Sequence, residues 1–280
     1  MLEKRHKIIG KPSIVMEQNK QSFTKSECKI HHYIMNNSEE VLYHSLTELS
    51  EASGVAEATV LRFFRKLGFK GFQDFKFLFA QEVSTKSDYE ECETYVEKIK
   101  HNTIQAIEDS YDIIDHELLE DCIEIIHQNS DVVIFGVGSS GIAAQDMQTR
   151  LMRIGKHVDC VTDPHFQFMR ASSMNDETVV IAISLTGSTK DIVDSSAIAK
   201  ENGAKVIALT NYVKSPLTRH ADIVLLSSSK ESPLESGSLT SKITQLFLID
   251  LICTGLAIKN YETAEKVKMK TTKNTARKLY

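Results

Sequence analysis

From Asp131 onward, hydrophobic and polar positions alternate in two textures. Short apolar runs rich in β-branched residues recur as VVIFGV (132–137), HVDCVT (157–162), TVVIAIS (178–184), KVIALT (205–210) and DIVLLS (222–227), each bounded by turn formers. Runs of that length and composition predict buried strands. Between the first four lie segments of helical spacing, long enough for the crossover that parallel neighbours require. The expected α/β domain is therefore a doubly wound, five-stranded, mainly parallel sheet with helices on both faces. Before Asp131 the pattern changes. Residues 1 to about 80 show helical periodicity and no strand-like alternation, and VSTKSDYEECE (83–93) is polar and acidic, as a linker is. A helical stretch from Tyr95 to Gln128 then leads into the second half. The predicted organisation is an all-α head over 1–82, a linker over 83–94 and the α/β domain over 95–280.

Within the head, SLTELSEASGVAEATVLRFFRKL (45–67) carries the most specific local pattern. Ser45 and Glu48 have the spacing of a capping box for a helix over Leu46–Ala52. Ser53-Gly54-Val55 then predicts a tight turn, with Gly54 suited to the left-handed conformation such a turn needs. A second helix from Ala56 to Leu67 turns Val60, Phe63, Phe64 and Leu67 inward, leaving Glu57, Ala58, Thr59, Arg62, Arg65 and Lys66 outward. Small and polar residues at the start of such a helix can approach base edges, and Arg or Lys can reach phosphates or guanines. The segment thus predicts a helix-turn-helix whose second helix reads double-stranded DNA. Ser50 stands where such units usually place alanine for close helix contact, and serine is nearly as small. Gly68 and Gly71 end the helix, and Lys70 just beyond it is placed for a phosphate. Phe69, Phe72, Phe75 and Phe79 recur at helical spacing and are expected to pack the head's core rather than to stack on bases.

Charge sharpens the division. Up to residue 86 there are 13 Lys/Arg against 10 Asp/Glu, and beyond it 20 against 28, within a net −5. A mildly basic head on an acidic body suits an anionic partner for the head. The five cysteines (28, 92, 122, 160, 253) form no C-x-x-C pair and have no histidine at ligand spacing, so no metal is expected. With no signal peptide in the first residues, reduced thiols in a cytoplasmic protein are the expectation. ITQLFLIDLICTGLAI (243–258) is the one stretch apolar enough to raise a membrane span, but it is short and carries Asp250 mid-run, so a core or subunit-interface helix is expected.

Two loops of the α/β domain carry candidate binding chemistry. The first strand runs into Gly136-Val137-Gly138-Ser139-Ser140-Gly141 and then directly into a helix. Glycines at a strand-to-helix turn let backbone N–H groups converge on an anion, and the helix N-terminus adds partial positive charge. The same run matches G-x-G-x-x-G, with Asp159 or Asp163 near the position of a ribose partner, so this loop alone also admits a dinucleotide. The third strand ends in Ser184-Leu185-Thr186-Gly187-Ser188-Thr189-Lys190, and a helix follows. Two hydroxyl-rich loops at one sheet edge can wrap a phosphate, and a dinucleotide site has no need of the second.

The run from Leu46 to Lys76, centred on SGVAEATVLRFFRKLGFKGFQDFK, closely resembles the DNA-binding domain of the RpiR family of bacterial regulators. The upstream FTKSECKIHHYIMNNSEEVLYHSLTELS looks like that family's first helices, and both C-terminal loops resemble the sugar isomerase (SIS) domain that is its usual partner. The resemblance implies ligand contacts from Gly138, Ser139 and Ser140 on the first loop. It implies a phosphate cradle of Ser184, Thr186, Ser188 and Thr189 on the second, which looks like the SIS motif S-x-[ST]-G-x-T. It further implies that ESPLESGSLTSKITQLFLIDL (231–251) returns to the pocket and supports dimerisation, making Glu235 and Lys242 candidates, with His165 as a sugar contact.

Sugar isomerisation needs a placed base, and His165, His220, Glu231 and Glu235 show no spacing that assigns catalytic roles. The resemblance implies a sensor without turnover and without a cofactor. It would be a homodimer or tetramer that sets two recognition helices on a palindromic operator and responds to a phosphorylated sugar. A phosphosugar isomerase or lyase with an accessory head, and a dinucleotide-sensing regulator, are the alternatives the residues leave open.

Overall fold

The computed structural model describes residues 11–83, 94–228 and 239–276. Contacts divide the described residues into two compact units, one lying before His101 and the other spanning 101–228 and 239–276.

The first unit is all helical: α1 (Pro12–Asn19), α2 (Lys25–Asn36), α3 (Ser38–Val41), α4 (Leu46–Ser53), α5 (Glu57–Lys66) and α6 (Phe72–Val83). Its core gathers Met16, Ile30, Ile34, Leu49, Val60, Phe63 and Phe64. The four spaced phenylalanines are buried there too, with ring centroids 4.6 Å apart for Phe64–Phe75 and 5.0 Å for Phe75–Phe79. Offset aromatic pairs at such distances add to the gain from area burial. Between them lies Lys76, 3% exposed, whose Nζ donates to the His44 carbonyl at 2.7 Å and sits over the Phe72 ring. Burial lowers its pKa to about 8.

α7 (Tyr95–Asp112), most of which belongs to the second unit, and α8 (His116–Gln128) precede the sheet. β1 (Asp131–Phe135), α9 (Gly138–Arg153), β2 (Asp159–Val161), α10 (Pro164–Ser172), β3 (Thr178–Ile183), α11 (Lys190–Glu201) and β4 (Lys205–Thr210) follow in strict alternation. A single 3-10 turn at Leu217–His220 then leads to β5 (Ile223–Leu226), and α12 (Leu239–Lys259) and α13 (Tyr261–Ala276) complete the unit. Strand order is β2-β1-β3-β4-β5, with every pairing parallel. The expected sheet is thus wholly rather than mainly parallel, because the last connection also crosses over.

Strand alternation feeds two cores. Val132, Ile134, Val179, Ile181, Ile207 and Leu209 face α8, α9 and α12, while Val133, Phe135, Val180, Ala182, Val206 and Ala208 face α10 and α11. Successive side chains of a strand point to opposite faces, so residues apolar at every position must be covered on both. The apolar stretch with Asp250 belongs to α12, whose Leu248, Ile249, Ile252 and Leu256 are buried in the first of these cores. Asp250 pairs with Arg150 of α9 at 2.6 Å. α12 is long and apolar enough to cross a membrane, yet its inner face is that of a core helix.

Candidate functional site

The strand order reverses direction between β1 and β3, and ligands of doubly wound sheets bind at the carboxyl ends of strands flanking such a switch point. Phe135 pairs with Ala182, so the segments leaving β1 and β3 start about 4.8 Å apart at the same edge. These are the two loops singled out in the sequence.

The first loop depends on its glycines. A Cβ on Gly136 would lie 2.6 Å from the Ser140 carbonyl oxygen, and Gly138 has φ +57°. α9 therefore starts at Gly138, two residues after the loop begins, with no side-chain cap on its first N–H groups. Gly138 and Ser139 are exposed, and Ser140 is buried. Two buried glutamines grip the loop: Gln167 of α10 donates to the Gly136 carbonyl at 3.3 Å and the Val161 carbonyl at 2.7 Å. Gln245 of α12 donates to Ser140 Oγ at 3.0 Å.

The second loop is held by β4. Ser184 N–H donates to the Leu209 carbonyl at 3.0 Å, and Thr210 Oγ1 donates to the Leu185 carbonyl at 3.1 Å. Gly187 (φ +57°) is pressed so closely on Ser215 that an added Cβ would stand 2.1 Å from its Oγ. Inside the loop, Ser188 N–H donates to Thr186 Oγ1 at 3.2 Å, and Ser184 Oγ donates to Thr189 Oγ1 at 3.3 Å. Thr189 precedes α11, but its hydroxyl does not cap it. Elsewhere Thr24, Ser45, Asp115 and Asp163 do cap their helices. Among the described residues no side chain caps the start of α9 or of α11, and both helix starts face one edge, the arrangement that favours an anion.

His165 lies on the exposed start of α10, beyond β2 at the same edge. Asp163 is engaged in capping α10 through Phe166 N–H at 3.0 Å, and Asp159 faces Arg170 at 3.9 Å, so neither candidate ribose partner is unengaged. Lys242 is half-buried on α12, one turn before Gln245 and on the same side of the helix. Glu231 and Glu235 lie outside the described residues. A groove of about 680 Å³, lined by Arg150, Cys253 and Tyr261, opens at the opposite end of α9 and is separate from the loops.

In the head, α4 and α5 form the expected two helices. The Ser45–Glu48 capping box is present, and Gly54 is left-handed at φ +63°. The second helix is one residue shorter at each end than its apolar pattern suggested, since Ala56 and Leu67 act as its caps. Ser50 closes the turn: its carbonyl accepts from Val55 N–H at 3.0 Å, and its hydroxyl donates to the Val55 carbonyl at 2.6 Å. Ala58, Arg62, Arg65 and Lys70 are exposed, and Arg62 donates to the half-buried Thr59 at 3.1 Å. Glu57 and Lys66 instead tie α5 down. Thr47 of α4 donates to the Glu57 carboxylate, and Lys66 meets Glu27 of α2 at 2.9 Å and the Ser22 carbonyl at 2.8 Å. Burial works against the Glu27 carboxylate, but bonds from Lys66 and Thr24 outweigh it and hold its pKa below the usual range.

Comparison with known proteins decides the family. Residues 13–86 match the helix-turn-helix domain of the rpiR family, and residues 124–255 match the SIS domain. A Clostridium perfringens HTH-type transcriptional regulator is 38% identical over 92% of this chain and 96% of its own length. The chain belongs to the RpiR family of helix-turn-helix transcriptional regulators. HexR of Pseudomonas aeruginosa, another HTH-type regulator, is 29% identical over 84% of this chain and 85% of its own. Among solved structures, the Vibrio vulnificus NanR protein complexed with ManNAc-6P superposes with a TM-score of 0.86 at 27% identity, covering 96% of this chain and 99% of that one. The sugar isomerase domain of a Sphaerobacter thermophilus RpiR factor shares the fold of the second unit, with a TM-score of 0.59 at 22% identity over 64% of this chain and 98% of that one.

Three side chains of this RpiR chain stand in or under the sites without having been singled out in the sequence: Gln167, Gln245 and Lys76. Nothing local marks them. Gln245 lies 105 positions from Ser140, and an isolated glutamine in an apolar run has no spacing signature.

Proposed function

We propose that the chain is an operator-binding regulator that senses a phosphorylated sugar at the two hydroxyl loops and changes its DNA affinity in response. The observation carrying this is the convergence of two loops at the switch point of the sheet, each opening a helix that no side chain among the described residues caps. A phosphate there accepts backbone and hydroxyl donors without needing a paired cation. The NanR neighbour, complexed with a sugar phosphate, supports the same class of ligand. Ser139, Ser184, Thr186, Ser188 and Thr189 hold the phosphate, and Lys242 and His165 approach the rest of the molecule.

Sensing rather than turnover is the reading that the relatives support, since those matching over most of the chain are named as HTH-type transcriptional regulators. In the head, Ala58, Thr59, Arg62 and Arg65 face the major groove, with Lys70 on a phosphate, and a homodimer or tetramer presents two such helices to a palindromic operator.

Thermal-shift screening of the full chain against hexose and amino-sugar 6-phosphates, inorganic phosphate and NAD(H) tests the ligand class. Stabilisation by at least one sugar phosphate, lost in Ser184→Ala/Thr189→Ala, is expected. Stabilisation by NAD(H) alone, or a response that survives the double substitution, would overturn the assignment.

A further inference from the structure

Ser140 and Gln245 are both buried, at 7% and 3% exposure, and are joined at 3.0 Å across the packed pair α9 and α12. A hydroxyl has one proton to donate and two lone pairs to accept with. Because the Gln245 amide N–H donates to Ser140 Oγ, the serine's own proton cannot point back at that nitrogen. It is left to serve an oxygen on the loop's open side, where Gly138 and Ser139 are exposed. A phosphate ester or sugar oxygen is an acceptor of that kind, and a charge-assisted O–H donor is a strong contact.

Resting on the phosphosugar reading of the loops, we propose that Gln245 is a positioning residue: it locks the Ser140 hydroxyl as a donor toward the bound sugar phosphate. The site is then partly built from α12, a helix outside both loops. Gln167 completes the grip from the other side by holding the Gly136 carbonyl, so the loop is braced at its first glycine and at its serine. Of the two braces, only Gln245 acts on a group that can itself donate to a ligand.

The two possible roles of Gln245, packing alone and proton placement, diverge when the amide becomes a carboxyl group. In Gln245→Glu at pH 8 the carboxylate can only accept, so Ser140 turns its proton toward residue 245 and away from the ligand. At pH 5 a protonated carboxyl can donate as the amide did, and the serine is released. Isothermal titration of the full chain with N-acetylmannosamine 6-phosphate and with inorganic phosphate, each compared with wild type at the same pH, reads this out. The expected result is an affinity loss of about tenfold or more at pH 8 that largely disappears at pH 5. Gln245→Leu supplies a second measurement should the buried carboxylate prevent folding. It should weaken binding about tenfold in the native background and have no effect once Ser140→Ala is present. Equal losses from Gln245→Leu with and without Ser140, or a Gln245→Glu deficit that does not change with pH, would overturn the proposal while leaving the phosphate loops intact. Failure of wild type to bind these probes and every sugar phosphate of the thermal-shift screen would instead bring down the reading of the loops, and this inference with it.

Discussion

An ammonium group inside a cluster of phenylalanines is costly, and Lys76 has that position, with the His44 carbonyl, the Phe72 ring face and the charge of Glu48 among what acts on it. Its pKa of about 8 lies below the ordinary lysine value, so between about pH 8 and 10.5 the unfolded chain binds more protons than the folded one. This residue therefore makes the head more stable as pH rises through that window, and its cost is fully present below it. Replacing it with methionine, of similar length, removes the titration. Amide hydrogen exchange of α5 and α6 in the full chain, corrected for intrinsic rates, should show wild type gaining about 2 kcal/mol relative to Lys76→Met between pH 7.5 and 9.5. A pH-independent difference would mean that folding does not lower the pKa of Lys76. Glu27 behaves in the opposite sense: its pKa is depressed, so what it contributes through Lys66 is present at neutral pH and is lost as acid protonates it.

At the scale of elements, α5 divides its polar residues between two tasks. Glu57 and Lys66, at its two ends, brace it against α4 and α2, while Ala58, Arg62 and Arg65 recur at i, i+4 and i+7 on its exposed side. Arg62→Ala should weaken operator binding about tenfold or more, leaving sugar-phosphate stabilisation of the second unit unchanged, as electrophoretic mobility and thermal shift would read separately. Unaltered DNA affinity would remove Arg62 from the interface. This division of labour was only half legible beforehand. Helical periodicity correctly separated Val60, Phe63 and Phe64 from the polar face, because burial follows the 3.6-residue repeat. It treated Glu57 and Lys66 like Arg62, since a side chain's partner 10 or 39 positions away leaves no trace in local spacing. The two loops were legible for the opposite reason. Glycines and hydroxyls at strand ends are short-range features, and Gly136, Gly138 and Gly187 are each required by backbone geometry. The glutamine braces from α10 and α12 come from packing between elements far apart in sequence, which no window of residues contains.

At the scale of the whole molecule, the proposed function couples two binding reactions. If a sugar phosphate alters operator affinity by some factor, the operator must alter sugar-phosphate affinity by the same factor, as linkage requires. A coupling of about 1–3 kcal/mol is typical of such regulators and corresponds to roughly 5- to 150-fold. A mainly parallel, doubly wound sheet was foreseeable from alternating apolar runs, but the parallel fifth strand and the strand order with its switch point were not. The proposed coupling leaves no trace in local spacing, because coupling is a property of two states rather than of one sequence pattern. The most direct test measures operator affinity of the full chain with and without a saturating sugar phosphate identified by the thermal-shift screen, in wild type and in Ser184→Ala/Thr189→Ala. A change of at least fivefold in wild type, in either direction, that vanishes in the double variant while ligand-free DNA binding persists is the predicted result. Operator affinity that is the same with and without bound sugar phosphate would contradict the account.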